Sequence, residues 1–163
     1  MTSAEAAATN EKDEVAVTAM LSHVGVCVSD LAASKLFYSR VFGFEETYSR
    51  RVGNDFARLM QRPSLDVEVC VLTLGRQRIE LVHHYSPDPV VEPVRATNTI
   101  GYTHVAIYVP DVAATAALAE HHGGRVLWET HTELDVAGEH REYLYVMDPD
   151  SVRIELIRGL PLG

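Results

Sequence analysis

The chain lacks most of what would mark a secreted, nucleic-acid-binding or membrane protein. It has two cysteines, Cys27 and Cys70, in 163 residues. Both lie in apolar runs, and two are too few for a disulfide framework, so reduced thiols in a cytoplasmic protein are expected. Fourteen Lys and Arg stand against 23 Asp and Glu, giving a net charge of −9. A phosphate backbone demands clustered cations, so nucleic acid is excluded as a partner. No apolar run approaches the roughly 20 residues of a membrane span. The first stretch also lacks the basic start and apolar core of a secretory signal. Residues 1–18, rich in Ala, Thr and Glu without periodicity, read as a disordered tail. These absences leave a small-molecule substrate and no membrane as the expectation.

What is present is a repeat. Arg78-Ile79-Glu80-Leu81-Val82 returns as Arg153-Ile154-Glu155-Leu156-Ile157. Each copy is a strand-like apolar run with one carboxylate at its centre, a group that is costly to bury unless paired, hydrogen-bonded or metal-bound. Upstream of each stands a histidine opening an alternating run: His23 before Val24, Val26 and Val28, and His104 before Val105 and Ile107. A capping residue follows each run, Ser29 or Asp30 in the first copy and Asp111 in the second. An apolar helix then runs until Gly43 or Gly124. His104 follows His23 by 81 residues, and Asp111 and Gly124 follow Asp30 and Gly43 by the same step. Glu155 follows Glu80 by 75, a difference that a mid-module loop absorbs.

The fold class expected is therefore α+β: two tandem β-α-β-β-β modules forming a curved mixed sheet, a cup with its helices on the outer face. The boundaries read as module one over 19–85, a Pro-rich linker over 86–98 and module two over 99–163, within a single domain over 19–163. The strands expected in module one are Leu21 to Val28, Phe44 to Arg51, Val67 to Leu74 and Gln77 to His84. Those in module two are Tyr102 to Val109, Arg125 to Thr130, Glu142 to Met147 and Val152 to Arg158. A polar loop carrying His131 and His140 is expected between Thr130 and Glu142.

Strand parity puts His23, Gly25 and Cys27, Arg78, Glu80 and His84, His104 and Tyr108, and Arg153 and Glu155 on one face. Two imidazoles and two carboxylates there suffice for one divalent metal, with Ni, Co, Zn, Mn and Fe(II) all compatible. His23, Glu80, His104 and Glu155 are the expected ligands. His84 shares the parity of Glu80 and is a candidate secondary acid or base, with an exposed rim histidine as the alternative. His131 and His140 read as solvated, and His121 and His122 as helix-terminal residues without chemistry. Cys27 has no adjacent base to make it a nucleophile.

The segments "HVGVCVSDLAASKLFY", "RIELV", "HVAIYVPD" and "DPDSVRIELI" resemble the vicinal oxygen chelate superfamily, which includes glyoxalase I, bleomycin resistance proteins and extradiol dioxygenases. The resemblance covers the chain after Met20 and implies paired modules wrapping a metal, with ligands at the same four positions. It also implies a homodimer and chelation of a substrate with neighbouring oxygens. Three reactions fit. In the glyoxalase type, Glu155 is the proton-moving base and Glu80 its counterpart. Against glutathione thioesters, Cys27 and His84 stand where bacterial glyoxalases carry Arg and Asn. In the methylmalonyl-CoA epimerase type, the stretch "VLTLGRQRIELV" matches well, but Glu80 replaces the usual Gln. There the second base is missing or replaced by Asp66. In the Fe(II) dioxygenase type, Tyr145 falls at the site tyrosine, whereas Glu80 occupies a position normally free of carboxylate. The isomerase or lyase reading leads, with the dioxygenase and a non-catalytic antibiotic-binding protein as alternatives.

Overall fold

The computed structural model describes residues 19–159, so the tail expected over residues 1–18 lies outside the described residues. Module one is built of β1 (Val24–Val28), α1 (Leu31–Phe42), β2 (Glu45–Val52), β3 (Asp66–Leu74) and β4 (Gln77–Ser86). Module two is built of β5 (Val105–Tyr108), α2 (Val112–His121), β6 (Arg125–Val136), β7 (Glu139–Met147) and β8 (Arg153–Arg158). The strand orders are β1-β4-β3-β2 and β5-β8-β7-β6, with β1/β4 and β5/β8 parallel and the other pairs antiparallel. This is the tandem β-α-β-β-β architecture, with the mixed sheet divided into two four-stranded halves.

Local chemistry sets the helix ends. The Asp30 side chain accepts the Ala33 N–H and the Asp111 side chain accepts the Ala114 N–H, each satisfying a donor that the first turn leaves free. Gly43 ends α1 at φ 78°, where a side chain would be strained. Gly124 serves closeness instead. A Cβ there would stand 2.6 Å from the Met147 carbonyl and 2.7 Å from the Phe37 ring.

One apolar core joins the modules. Val26, Val28, Leu72, Ile79 and Leu81 from the first sheet meet Leu144, Val146, Ile154 and Leu156 from the second. Phe37, Tyr38, Ala116 and Ala119 of the helices fill the space between. Across this core the Tyr38 hydroxyl donates to Asp148 Oδ2 at 3.0 Å. Asp148 Oδ1 accepts the N–H groups of Asp150 and Val152 at 2.9 and 2.8 Å. In turn, Asp150 accepts the Ser29 N–H and its hydroxyl at the end of β1.

Two local expectations change. The polar loop expected around His131 is strand: β6 runs on to Val136 and pairs with β7 around Ala137 and Gly138, both at positive φ. Thr130, Thr132 and Leu134 alternate there with His131, Glu133 and Asp135, a period of two that polar composition disguises. His131 and His140 are accordingly strand residues. The strand expected from Tyr102 is only Val105–Tyr108, so His104, like His23, immediately precedes its strand. Residues 53–65 fold into a 3-10 turn, Asn54–Phe56, and further turns. Ala57 and Leu65 from this connection are buried with Val52, Val67 and Val69, and Phe56, Met60 and Val82 pack against them.

Burial raises the Asp148 carboxyl to about 6, partly opposed by the hydrogen bonds it accepts. A carboxyl raised on folding binds its proton more tightly in the native state, so its contribution is fully present below pH ~4 and is lost as pH rises through about 6. Asp148→Asn removes that dependence and keeps an acceptor for both N–H groups. Relative to wild type, the variant should gain stability between pH 4 and 7, by up to about 3 kcal/mol for a shift of two units. Urea unfolding at both pH values measures it; a constant difference would contradict this assignment.

Candidate functional site

The histidine and glutamate of each module meet by the same register. Glu80 lies opposite Gly25 in the parallel β1/β4 pair, and Glu155 lies opposite Ala106 in β5/β8. Each histidine stands two residues before that small partner and leans over it. His23 Nε2 comes to 3.4 Å from Glu80 Oε2, and His104 Nε2 to 3.3 Å from Glu155 Oε2. The four side chains are between 21 and 39 % exposed, open enough to receive a ligand yet partly withdrawn from water. The other ring nitrogens contact neighbours, His23 Nδ1 at 3.1 Å from the Ser22 hydroxyl and His104 Nδ1 at 2.9 Å from the Thr103 hydroxyl. Such contacts hold an imidazole with Nε2 toward a metal.

Both histidines line one cavity of about 550 Å³ at the seam of the two modules, with Cys27, Arg95, Tyr102 and Arg153 also on its wall. The expected four ligands appear as two pairs, one on each module. Among the described residues, the four donors do not form a cluster with every atom within 4.8 Å of the others. The donor set suits a divalent ion: imidazole and carboxylate separated by 3.3–3.4 Å match adjacent ligands around one centre.

The surroundings of the two pairs differ. Tyr145 lies directly opposite Glu155 across β7/β8, and its ring centre is 5.5 Å from that of His104. Burial and the Glu155 charge raise its phenol above the ordinary value, and Arg153 opposes them. Tyr145 and Glu155 share a second hollow of about 320 Å³ with Thr130, Thr132, Leu134 and Tyr143. Thr132 escaped sequence reasoning because it sits in the stretch read as loop, and Thr130 because it closed the expected strand with no further alternation to give it a face. The Arg153 guanidinium lies 5.7 Å from the Tyr145 ring and donates from Nη2 to the Arg95 carbonyl at 3.1 Å. Its Nε is buried with no hydrogen-bond partner among the described residues.

Other candidates fall elsewhere. His84 shares the face of Glu80 but lies four residues along the strand, about 13 Å at the usual rise. Burial, together with Arg62 and His83, lowers its pKa below the ordinary histidine value. Asp66 is engaged by Arg51 through two hydrogen bonds of 2.7 and 2.6 Å, which hold its carboxyl below the usual range. Burial and then the Asp150 charge raise the Cys27 thiol, which keeps it protonated and unreactive.

The family description "Glyoxalase/Bleomycin resistance protein/Dioxygenase superfamily" matches residues 20–156. The chain is 28% identical over 137 residues to mitochondrial methylmalonyl-CoA epimerase of Bos taurus, covering 83% of this chain and 72% of that protein. A glyoxalase family protein from Bacillus cereus has the same fold, with a TM-score of 0.74 at 20% identity over 86% of this chain and 94% of that one. A fosfomycin resistance protein from Listeria monocytogenes, solved with manganese(II) and sulfate, gives a TM-score of 0.58 at 18% identity, covering 88% and 95%. Glyoxalase I of Zea mays gives 0.60 at 23% identity over 86% of this chain and 44% of that one.

The shared register of the two half-sites is tested at Gly25. A Cβ there meets nothing within 4 Å, and Ala106 already fills the equivalent place opposite Glu155. Gly25→Ala should change stability by no more than about 0.5 kcal/mol. A loss of several kcal/mol on thermal unfolding would show that the two half-sites are not built alike.

Proposed function

The chain belongs to the glyoxalase/bleomycin resistance protein/dioxygenase superfamily, and from this we propose that it is a metal-dependent isomerase or lyase of the glyoxalase and epimerase type. It would chelate a small substrate through neighbouring oxygens and move a proton next to a carbonyl. The observation that carries the reading is the pair of His–Glu contacts whose histidines face one cavity. His23, Glu80, His104 and Glu155 would hold one divalent ion, with Ni, Co, Zn, Mn and Fe(II) all suited to the donor set. When bound, such an ion polarises the substrate oxygens and stabilises enolate charge.

The chain's own residues supply the rest. Glu155 is the base that takes the proton, since it alone of the two carboxylates borders a hollow with a hydroxyl-bearing wall. Glu80 is the opposed carboxylate that returns a proton on the other side of the seam. Its role is sharpened by Asp66, which Arg51 occupies. Tyr145 orients substrate oxygen beside His104. Arg153, on the wall of the cavity that both histidines line, meets an anionic group on the substrate. His84, remote along β4, tunes the far end of the cup and takes no part in proton transfer.

Tyr145 also favours a second reading, an Fe(II)-dependent extradiol-type dioxygenase, because a phenol stands beside one His–Glu pair. A non-catalytic antibiotic-binding protein is the third. We expect a homodimer in each case, acting on a small molecule and binding neither nucleic acid nor membrane. Among the described residues, no helix is long and apolar enough to cross a membrane.

The readings separate in one set of assays. Metal-loaded protein is incubated with 2-oxo thiohemiacetals, 2-methyl acyl-CoA thioesters and catechols in deuterated water, followed by NMR and an oxygen electrode. Deuterium uptake beside a carbonyl is expected, falling 10²- to 10⁴-fold in Glu155→Gln, the range for loss of a positioned base. Oxygen consumption with catechols would replace the isomerase by the dioxygenase. Binding without turnover would leave a sequestering module.

A further inference from the structure

The cup is not the one place where imidazole and carboxylate converge. On the β6–β7 hairpin, Glu133 and Glu142 are direct cross-strand neighbours, as are Asp135 and His140. His131 has the parity of Glu133, so two histidines and three carboxylates share one face. That face is turned away from the cup. Tyr143 and Tyr145 point into the cup, because Tyr145 lies opposite Glu155, whereas Glu142 and His140 alternate with them. Like charges directly opposed across a ladder are destabilising. Glu142 is also largely withdrawn from water, at 14 % side-chain exposure.

The histidines gather around that acidic pair. His131 Nε2 lies 2.9 Å from Glu142 Oε1 and 3.8 Å from Glu133 Oε1. His140 Nε2 lies 3.8 Å from Glu133 Oε2, and its Nδ1 lies 3.4 Å from Asp135. Donor atoms of His131, Glu133 and Glu142 all fall within 4.8 Å of one another, the one such trio among the described residues. Arg158 approaches the second oxygen of Glu142 at 3.6 Å, leaving Oε1 to His131. Four-coordinate zinc holds N and O ligands at about 2.0–2.2 Å, which sets them roughly 3.3 Å apart. The observed separations bracket that value.

We propose that His131, Glu133 and Glu142, with His140 beside Glu133 as a fourth donor, form a second metal site, on the back of the β6–β7 hairpin, that takes a divalent transition-metal ion such as Zn2+. The donors are borderline nitrogen and hard oxygen without thiolate, which selects zinc, nickel or copper(II) over calcium and magnesium. The ion neutralises the opposed glutamates and ties the two strands together beyond Glu142, where β8 no longer supports them. The site needs nothing from the cup and stands or falls separately from the proposed activity.

The test is a zinc titration by calorimetry on the full chain. The His23→Ala/His104→Ala variant, which removes both cup imidazoles, should still bind one Zn2+ per chain. Adding His131→Ala and Glu142→Gln should weaken that binding at least tenfold and abolish the rise in melting temperature that zinc produces. Should the cup variant fail to fold by circular dichroism, the same two changes in the wild-type chain should lower zinc stoichiometry by one. NMR of the imidazole protons should show His131 and His140 shifting with zinc in the cup variant. Absence of zinc binding in a folded cup variant overturns the proposal. Binding that His131→Ala and Glu142→Gln leave unchanged does so equally.

Discussion

Everything in the cup depends on how one turn of module two grips module one. Asp148 and Asp150 lie in the same β7–β8 turn. The first accepts the buried Tyr38 hydroxyl of α1, and the second accepts both donors of Ser29 at the end of β1. No backbone ladder crosses from β1 to β5, so side chains and the shared core fix their relation. Asp148 is 3% exposed, and its three accepted hydrogen bonds are what make a buried carboxyl tolerable there. The contacts span more than a hundred residues of sequence, and they set the mutual position of His23 and His104 on the cavity wall.

Within each module the constraint is steric and local. A glutamate in the middle of a parallel strand needs room above the neighbouring strand to meet a histidine two residues away. Gly25 and Ala106 provide it by having almost nothing there. A leucine at either place would part the pair without touching either functional residue. The same pairing sets an imidazole nitrogen within 3.4 and 3.3 Å of glutamates held at 24 and 21 % exposure, a polar neighbour that lessens the cost of withdrawing each carboxylate from water.

The sequence carried the architecture because duplication made it legible twice. Capping aspartates, terminal glycines and the Arg-Ile-Glu-Leu run recur at fixed spacing, and parity then assigned His23, Glu80, His104 and Glu155 to one face. What stayed hidden was of two kinds. Polar strands conceal themselves: the alternation of Thr130, Thr132 and Leu134 with His131 and Glu133 was masked because neither face reads as apolar. Non-local contacts also leave no local mark. Ser29 meeting Asp150, Arg153 reaching the Arg95 carbonyl, and Arg51 occupying Asp66 are consequences of topology. No spacing rule announces them.

The duplicated halves have been finished differently, and this bears on which carboxylate does the chemistry. In module one, residues 53–65 cover the far end of the concave face with Ala57, Leu65, Phe56 and Met60, against Val67, Val69 and Val82. That end is dry and apolar, and His84 sits at its margin with its charged form disfavoured. Module two has no such cover; its concave face keeps Thr130, Thr132, Tyr143 and Tyr145 around Glu155. The two carboxylates of common ancestry therefore stand in unlike surroundings, Glu80 on a strand whose far end is closed by apolar packing and Glu155 beside a hydroxyl-lined hollow, and that difference is the physical ground for giving them unequal roles in the proposed reaction.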